Sequence, residues 1–279
     1  MSRVGALQRM RVLPNGRVLT APAGAGRNPS SFSNFVLLQS GTCQASAGLA
    51  LTGLRRGHNV RVTMAELPDI IPIFPLPNFV LFPGVTVPLH IFEPRYREMV
   101  ADVAQTHATI GMMMLKGDWE REYHAYPDIF TIGCAGRISS LEKLSDGRYN
   151  LQLEGIGEFR VGREIRSHAY RQAEVQWCPS SRRLLGLEPS EMGSLRDLLG
   201  GFLGENADAA WRGLVDEQGL RDADLINFLC FHLDVTPLEK QTLLEALDDR
   251  IACLFDVLTF KIEERKLGPS GPRDGGPVN

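Results

Sequence analysis

The sequence runs to 279 residues with 30 Lys and Arg against 33 Asp and Glu, 43% hydrophobic and 23% charged residues, which excludes collagen-like, mucin-like and wholly disordered chains. That length accommodates one or two packed domains. Five cysteines, at 43, 134, 178, 230 and 253, form no C-x-x-C pair; this disfavours a disulfide framework and a thiolate zinc site alike, and fits a reducing, cytoplasmic compartment.

Charge is unevenly distributed along the chain. Residues 1–63 contain no Asp or Glu and eight Arg, so residues 64–279 carry 22 basic against 33 acidic residues, net −11. Such a surface repels phosphate backbones and anionic lipid, so neither a nucleic acid nor a membrane is expected as partner. Residues 1–63 are rich in Pro, Gly, Ser and Ala without a sustained helix or strand period, and read as a disordered or mis-assigned N-terminal extension, with Met64 as the initiator. An organellar transit peptide shares that acid-poor, Arg-bearing composition. Ala45-Ser46-Ala47 resembles a signal-peptidase site but lies too deep in the chain, and the uncharged stretch 35–54 is too polar for a membrane span.

Order begins near Asp69, where Pro72, Pro75, Pro77, Pro83 and Pro88 punctuate short runs of Ile, Val, Leu and Phe. Proline cannot donate to a ladder, so short edge strands are expected, with Pro83-Gly84 turning between the 79–82 and 85–91 runs. Glu93-Pro94 reads as a helix start, placing Tyr96, Met99, Val100 and Val103 on one face and an end near Gln105. Strands resume at 109–115. Asp146-Gly147 is a hairpin turn; beyond it Tyr149, Leu151 and Leu153 alternate with Asn150, Gln152 and Glu154, so one face is buried and the other wet. Gly155 and Gly157 interrupt that strand where a bulge or corner would let a small barrel close. Residues 170–177 alternate again.

Beyond Pro179 the period changes from two to 3.6. Pro189 opens a helix with Met192, Leu195, Leu199 and Phe202 as its apolar stripe and Gly204 at its end. Residues 223–233 read as a second helix. Thr236-Pro237-Leu238-Glu239 spells a capping box for a third, and Asp248 opens a fourth carrying Ile251, Leu254, Phe255, Leu258 and Ile262.

No G-x-x-x-x-G-K-[ST] and no G-x-S-x-G occurs in the sequence. His90 and Glu93 straddle a strand-to-helix junction and make an incomplete metal set, Cys134 and Cys178 sit in apolar strands, and Ser139-Ser140 has no base nearby in sequence. No catalytic residue, cofactor or metal ligand is therefore assigned. Arg160, Arg163, Arg166 and Arg171 alternate with Glu158, Glu164 and Glu174 as on a solvated face. Met112, Met113 and Met114 are adjacent strand residues that point to opposite sides, so either the strand is buried on both faces or part of the run is exposed; Phe79, Leu81 and Phe82 present the same choice.

The run PIFPLPNFVLFPGVTVPLHIFEPRYREMV resembles the opening signature of the Lon protease N-terminal (substrate-binding) domain family, carrying Pro83, Gly84, Pro88, Leu89, Ile91, Phe92, Glu93, Arg95 and Tyr96 as its structural motif. GCAGRISSLEKLSDGRYNLQLEGIGEFRV is similar to the family's next strand pair, and the helix start at Glu239-Lys240-Gln241 is a weaker third match. The resemblance implies an α+β fold, a PUA-like small β-barrel with one helix over residues 64–180 and a helical bundle over 184–266; the Gly/Pro-rich tail over 267–279 reads as disordered from its composition. Lon proteases join this domain to an AAA+ ATPase and a Ser-Lys peptidase, and the chain looks like the stand-alone form lacking both. The function implied is a non-catalytic polypeptide-binding module, adaptor-like or chaperone-like in protein quality control. Its expected partners are unfolded or apolar-rich polypeptides and a full-length ATP-dependent protease. Phe79, Leu81, Phe82, Met112, Met113 and Met114, with an unpaired strand edge, are the expected binding surface. Glu93, Arg95 and Tyr96 are expected to hold the fold and do no chemistry. The alternative is a PUA-like protein that binds RNA or a small ligand.

Overall fold

The computed structural model describes residues 67–117, 119, 126–178 and 186–267, together with the backbone of two short strands, β1 (Arg9–Val12) and β2 (Val18–Ala21). These two pair antiparallel. The rest of the 1–63 extension, Met64 and the 268–279 tail lie outside the described residues.

The β-rich part comprises β3 (Ile70–Leu76), β4 (Thr86–Ile91), helix α1 (Pro94–Val103), β5 (Thr109–Met114), β6 (Ile132–Lys143), β7 (Tyr149–Ile165) and β8 (Arg171–Trp177). The sheet order is β4-β7-β6-β5-β3-β8, and β8 also pairs with β7, so β3, β5, β6, β7 and β8 close into a ring. Among the described strand pairs, only β3 and β5 run parallel. The expected small barrel is thus realised as a mixed sheet that curls until its last strand, β8, meets β7, with register shifts in the β6–β7 and β7–β8 pairings. β4 lies outside the ring, against residues 149–154 of β7, while β8 takes residues 159–165.

The prolines explain themselves in this topology. Residues 70–73 of β3 bond to β8 and residues 73–76 to β5, so Pro72 and Pro75 each sit in a half-strand paired on one side, and Pro88 sits on the edge strand β4. A missing N–H is tolerated at such local edges. Pro83-Gly84 turns as expected, with Gly84 at φ 79°. Its N–H donates to the Gly155 carbonyl at 2.8 Å, and the Gly155 N–H donates to the Val85 carbonyl at 2.9 Å. A Cβ on Gly155 would stand 2.1 Å from the Phe82 carbonyl oxygen, so only glycine admits this approach.

Gly155 also flanks a bulge. Ala135 pairs with Gly157 and Gly136 with Gly155, leaving Ile156 as an extra residue in β7. A one-residue shift exchanges the two faces of a strand. Before the bulge Leu153 faces the helices; after it Phe159 points into the ring and Glu158 toward the helices.

Two apolar clusters result. Ile71, Ile73, Met113, Ala135, Phe159, Ala173 and Val175 fill the ring. The larger cluster lies on the sheet's other side, where Phe74, Met112, Met114, Cys134 and Leu153 meet Tyr96, Met99 and Val100 of α1 and the apolar faces of the C-terminal helices. α1 starts at Pro94 as expected; the Glu93 carboxylate pairs with the Arg95 guanidinium at 3.0 Å, with no side-chain cap bond to the helix backbone.

The helical part comprises α2 (Pro189–Leu203), α3 (Ala207–Trp211), a π-helical turn (Arg212–Glu217), α4 (Asp222–His232), α5 (Pro237–Glu245) and α6 (Arg250–Leu267). Gly204 ends α2 at φ 60°. The capping box forms: Thr236 Oγ1 accepts from the Glu239 N–H at 3.2 Å, and the Glu239 carboxylate accepts from the Thr236 N–H at 2.6 Å. α3 and the π-helical turn have no counterpart in the sequence reading, because GENADAAWRGLVDE lacks an apolar period. No described helix is long and apolar enough to cross a membrane.

Candidate polypeptide-binding ribbon

The apolar residues expected to form a binding surface are interior, which corrects that expectation. Phe79, Leu81, Phe82, Met112, Met113 and Met114 are 8%, 1%, 0%, 2%, 1% and 6% exposed. β5 is covered on both faces: Met113 packs inside the ring, and Met112 and Met114 pack toward the helices. The 79–82 run forms the seam between sheet and helices, with the Phe79 ring 6.2 Å from that of Phe231 in α4.

At that seam lies a polar cluster the sequence reading missed. Arg250 of α6 is 0% exposed and donates to Glu158 Oε1 at 2.6 Å, Asn227 Oδ1 at 2.6 Å, and the carbonyls of Leu243 at 2.9 Å and Leu244 at 3.1 Å. Its guanidinium also stands over the Phe82 ring, 5.4 Å from the centroid. Glu158 is thus a buried partner and not part of a solvated face. Gln241 of α5 adds a second tie, its amide donating to the Ile132 carbonyl of β6 at 2.9 Å. These groups dock the helices on the sheet. Two arginines of the arginine-rich stretch are neutralised in pairs, Arg163 with Glu174 at 2.5 Å and Arg171, bidentate, with Glu164 at 2.6 and 2.9 Å, while Arg166 stands over the Tyr126 ring. Those two pairs reduce the positive charge that this face could offer a nucleic acid.

The accessible feature is a three-stranded ribbon projecting from the ring. Residues 139–143 of β6, 149–154 of β7 and β4 compose it. β4 is the outer strand of the sheet, with β2 approaching it, and residues 139–143 of β6 pair with β7 alone, so among the described residues no further strand is hydrogen-bonded to either edge of the ribbon. Its inner face buries Val87, Leu89, Ile91, Leu151 and Leu153. Leu141 pairs with Leu151 at the margin of that face and is 38% exposed. The outer face is a polar ladder: His90 Nδ1 meets Asn150 Oδ1 at 2.7 Å, the Asn150 amide donates to Glu142 at 3.0 Å, and Arg148 donates to His90 Nε2 at 3.2 Å. Glu93 is turned away from that ladder to Arg95. At the ribbon's tip an open pocket of about 290 Å³ is lined by Pro94, Arg97, Glu98, Lys143, Gly147 and Tyr149.

Cys134, Cys178 and Cys230 are buried thiols; burial pushes Cys230 up to about 12, which suits an inert core residue. Among the described residues one group brings three metal-ligating side chains together, Glu98 and Asp102 of α1 with His168 of the β7–β8 loop.

Residues 70–259 match the family described as the ATP-dependent protease La (LON) substrate-binding domain. The chain belongs to that family. The match runs from the first residue of β3 into α6, so the LON substrate-binding domain includes both ends of the Glu158–Arg250 pair. Lon protease 2 of Myxococcus xanthus is 28% identical over 211 residues, covering 74% of this chain and 25% of its own length. Lon protease of Anaeromyxobacter dehalogenans is 26% identical over 216 residues, covering 76% of this chain and 25% of its own. The chain therefore spans about a quarter of the length of these relatives. The crystal structure of a Lon N-terminal domain protein from Xanthomonas campestris is 28% identical and covers 68% of this chain and 98% of its own, with a TM-score of 0.49. The N-terminal domain of Mycobacterium avium complex Lon protease shares the fold, at 16% identity and a TM-score of 0.52, covering 70% of this chain and 98% of its own.

Proposed function

We propose that this LON substrate-binding domain is a non-catalytic polypeptide-binding module that captures non-native, apolar-rich segments along the open edges of the β6–β7–β4 ribbon. The observation that carries the reading is the family match across both the sheet and the helices. The ribbon supplies a physical means. An extended segment adding to a strand edge gains main-chain hydrogen bonds irrespective of its sequence, and Leu141 and the half-buried Phe92 offer apolar contacts beside those edges. Ordering a flexible partner offsets much of that contact energy, so individual affinities are weak, about micromolar. In this reading the chain acts as an adaptor or chaperone-like factor beside an ATP-dependent protease.

The test is a titration of a dye-labelled, permanently unfolded polypeptide with the full chain, followed by anisotropy. Saturable binding with a shallow salt dependence is expected, without ATP hydrolysis or cleavage of the polypeptide. Binding to a labelled RNA that weakens steeply with salt, with none to polypeptide, would replace this reading with the nucleic-acid one.

A further inference from the structure

We propose that Glu98, Asp102 and His168 form a binding site for one divalent transition-metal ion, with solvent completing its coordination. Glu98 and Asp102 are one helical turn apart on α1, and His168 reaches them from the β7–β8 loop. His168 Nδ1 stands 3.9 Å from Glu98 Oε1 and 4.0 Å from Asp102 Oδ2, and all three ligand atoms lie within 4.8 Å of one another. Ligand atoms around a tetrahedral zinc sit about 3.3 Å apart at ordinary bond lengths, so closure requires shifts of about 1 Å or less from each side chain. The three side chains are 47%, 46% and 40% exposed, which leaves the site open to an arriving ion.

Two physical features favour a cation there. Like charges at i,i+4 on a helix repel, and among the described residues neither carboxylate has a lysine or arginine partner. Tyr170, 3% exposed, also fixes two of the three ligands: its hydroxyl donates to Asp102 Oδ2 at 2.8 Å, and its ring stacks on the His168 imidazole at 4.9 Å and 21°. Hydrogen-bonded support of this kind orients ligands and raises metal affinity. The donor set selects the class of ion. Two carboxylate oxygens with one imidazole nitrogen suit zinc, cobalt or manganese, whereas calcium requires six or more oxygens and magnesium keeps its waters.

Isothermal titration of the full chain with Zn²⁺, and separately with Mg²⁺, tests the assignment. One Zn²⁺ per chain and at least tenfold weaker Mg²⁺ binding are expected. His168→Gln and Asp102→Asn should each weaken Zn²⁺ more than about tenfold, and Tyr170→Phe, which keeps all three ligands, by a smaller factor. Thermal unfolding without metal confirms that each variant is folded, and Glu98→Gln replaces any that is not. No binding of Zn²⁺, or equal binding to the folded His168→Gln and Glu98→Gln variants, overturns the proposal.

Discussion

Arg250 Nη2 and Glu158 Oε1 lie 2.6 Å apart with 0% and 1% of their side chains exposed, so an ion pair is sealed between β7 and α6. Removing two charges from water is costly, and the cost is offset here by four further acceptors or contacts on Arg250: the Asn227 amide oxygen, two helix carbonyls and the Phe82 ring. Helix packing alone tolerates small slips along the sheet; a buried guanidinium with fixed partners does not. We therefore expect Arg250→Ala to destabilise the protein by about 3–5 kcal/mol, because it removes the guanidinium paired with the buried Glu158 carboxylate. The double change Arg250→Met with Glu158→Leu should cost clearly less than the sum of the two single changes, read from denaturant midpoints.

Gly155→Ala should destabilise by at least about 1–3 kcal/mol, since its Cβ would meet the Phe82 carbonyl at 2.1 Å and backbone must move. Gly157→Ala, with open space around the added Cβ, is the control and should cost far less. Equal melting temperatures for the two variants would contradict the packing described at the Pro83-Gly84 turn.

Phe82→Ser and Met113→Ser should each lower stability by about 3 kcal/mol or more, because both side chains are at most 1% exposed and a hydroxyl would replace their packing. Thermal unfolding decides this. A folded, stable Met113→Ser protein would return the methionine run to the surface.

His107 is expected to contribute to an acid limb of stability. Burial, and then the charge of Arg137, hold its imidazole below the ordinary value of 6.5, so the unfolded chain takes up the proton first. Its contribution is fully present above pH 6.5 and is lost as pH falls through the lower folded-state value. The urea midpoint should therefore fall as pH drops below 6.5, and His107→Gln should flatten that slope. An unchanged slope would place the acid sensitivity elsewhere.

Much of this architecture is legible in local sequence, because local rules decide it. Pro94 and the capping box at Thr236 start their helices where backbone chemistry requires, Gly204 ends α2, and Gly147 supplies the positive φ of the β6–β7 turn. What escapes sequence is what depends on distant partners. Glu158 reads as solvated when its alternation with Glu154 is carried through the strand, yet the bulge at Ile156 turns it inward to a residue 92 positions away. The same non-locality hides the ribbon. Alternation identifies the wet face of residues 149–154 but says nothing of which strand edges lack a neighbour, and the apolar runs that look available for binding are covered on both sides by elements far along the chain. Glu98 and Asp102 are visible as an i,i+4 pair, whereas His168 reaches them only through the closure of β7 on β8.

Amide hydrogen exchange of the full chain, with and without a saturating unfolded polypeptide, tests the binding account most directly. The account predicts slowed exchange confined to β4 and to residues 139–143 of β6, the two open edges of the ribbon, with the seam around Arg250 unchanged. Slowed exchange on the helices with none on the ribbon, or no change anywhere at saturation, would contradict it.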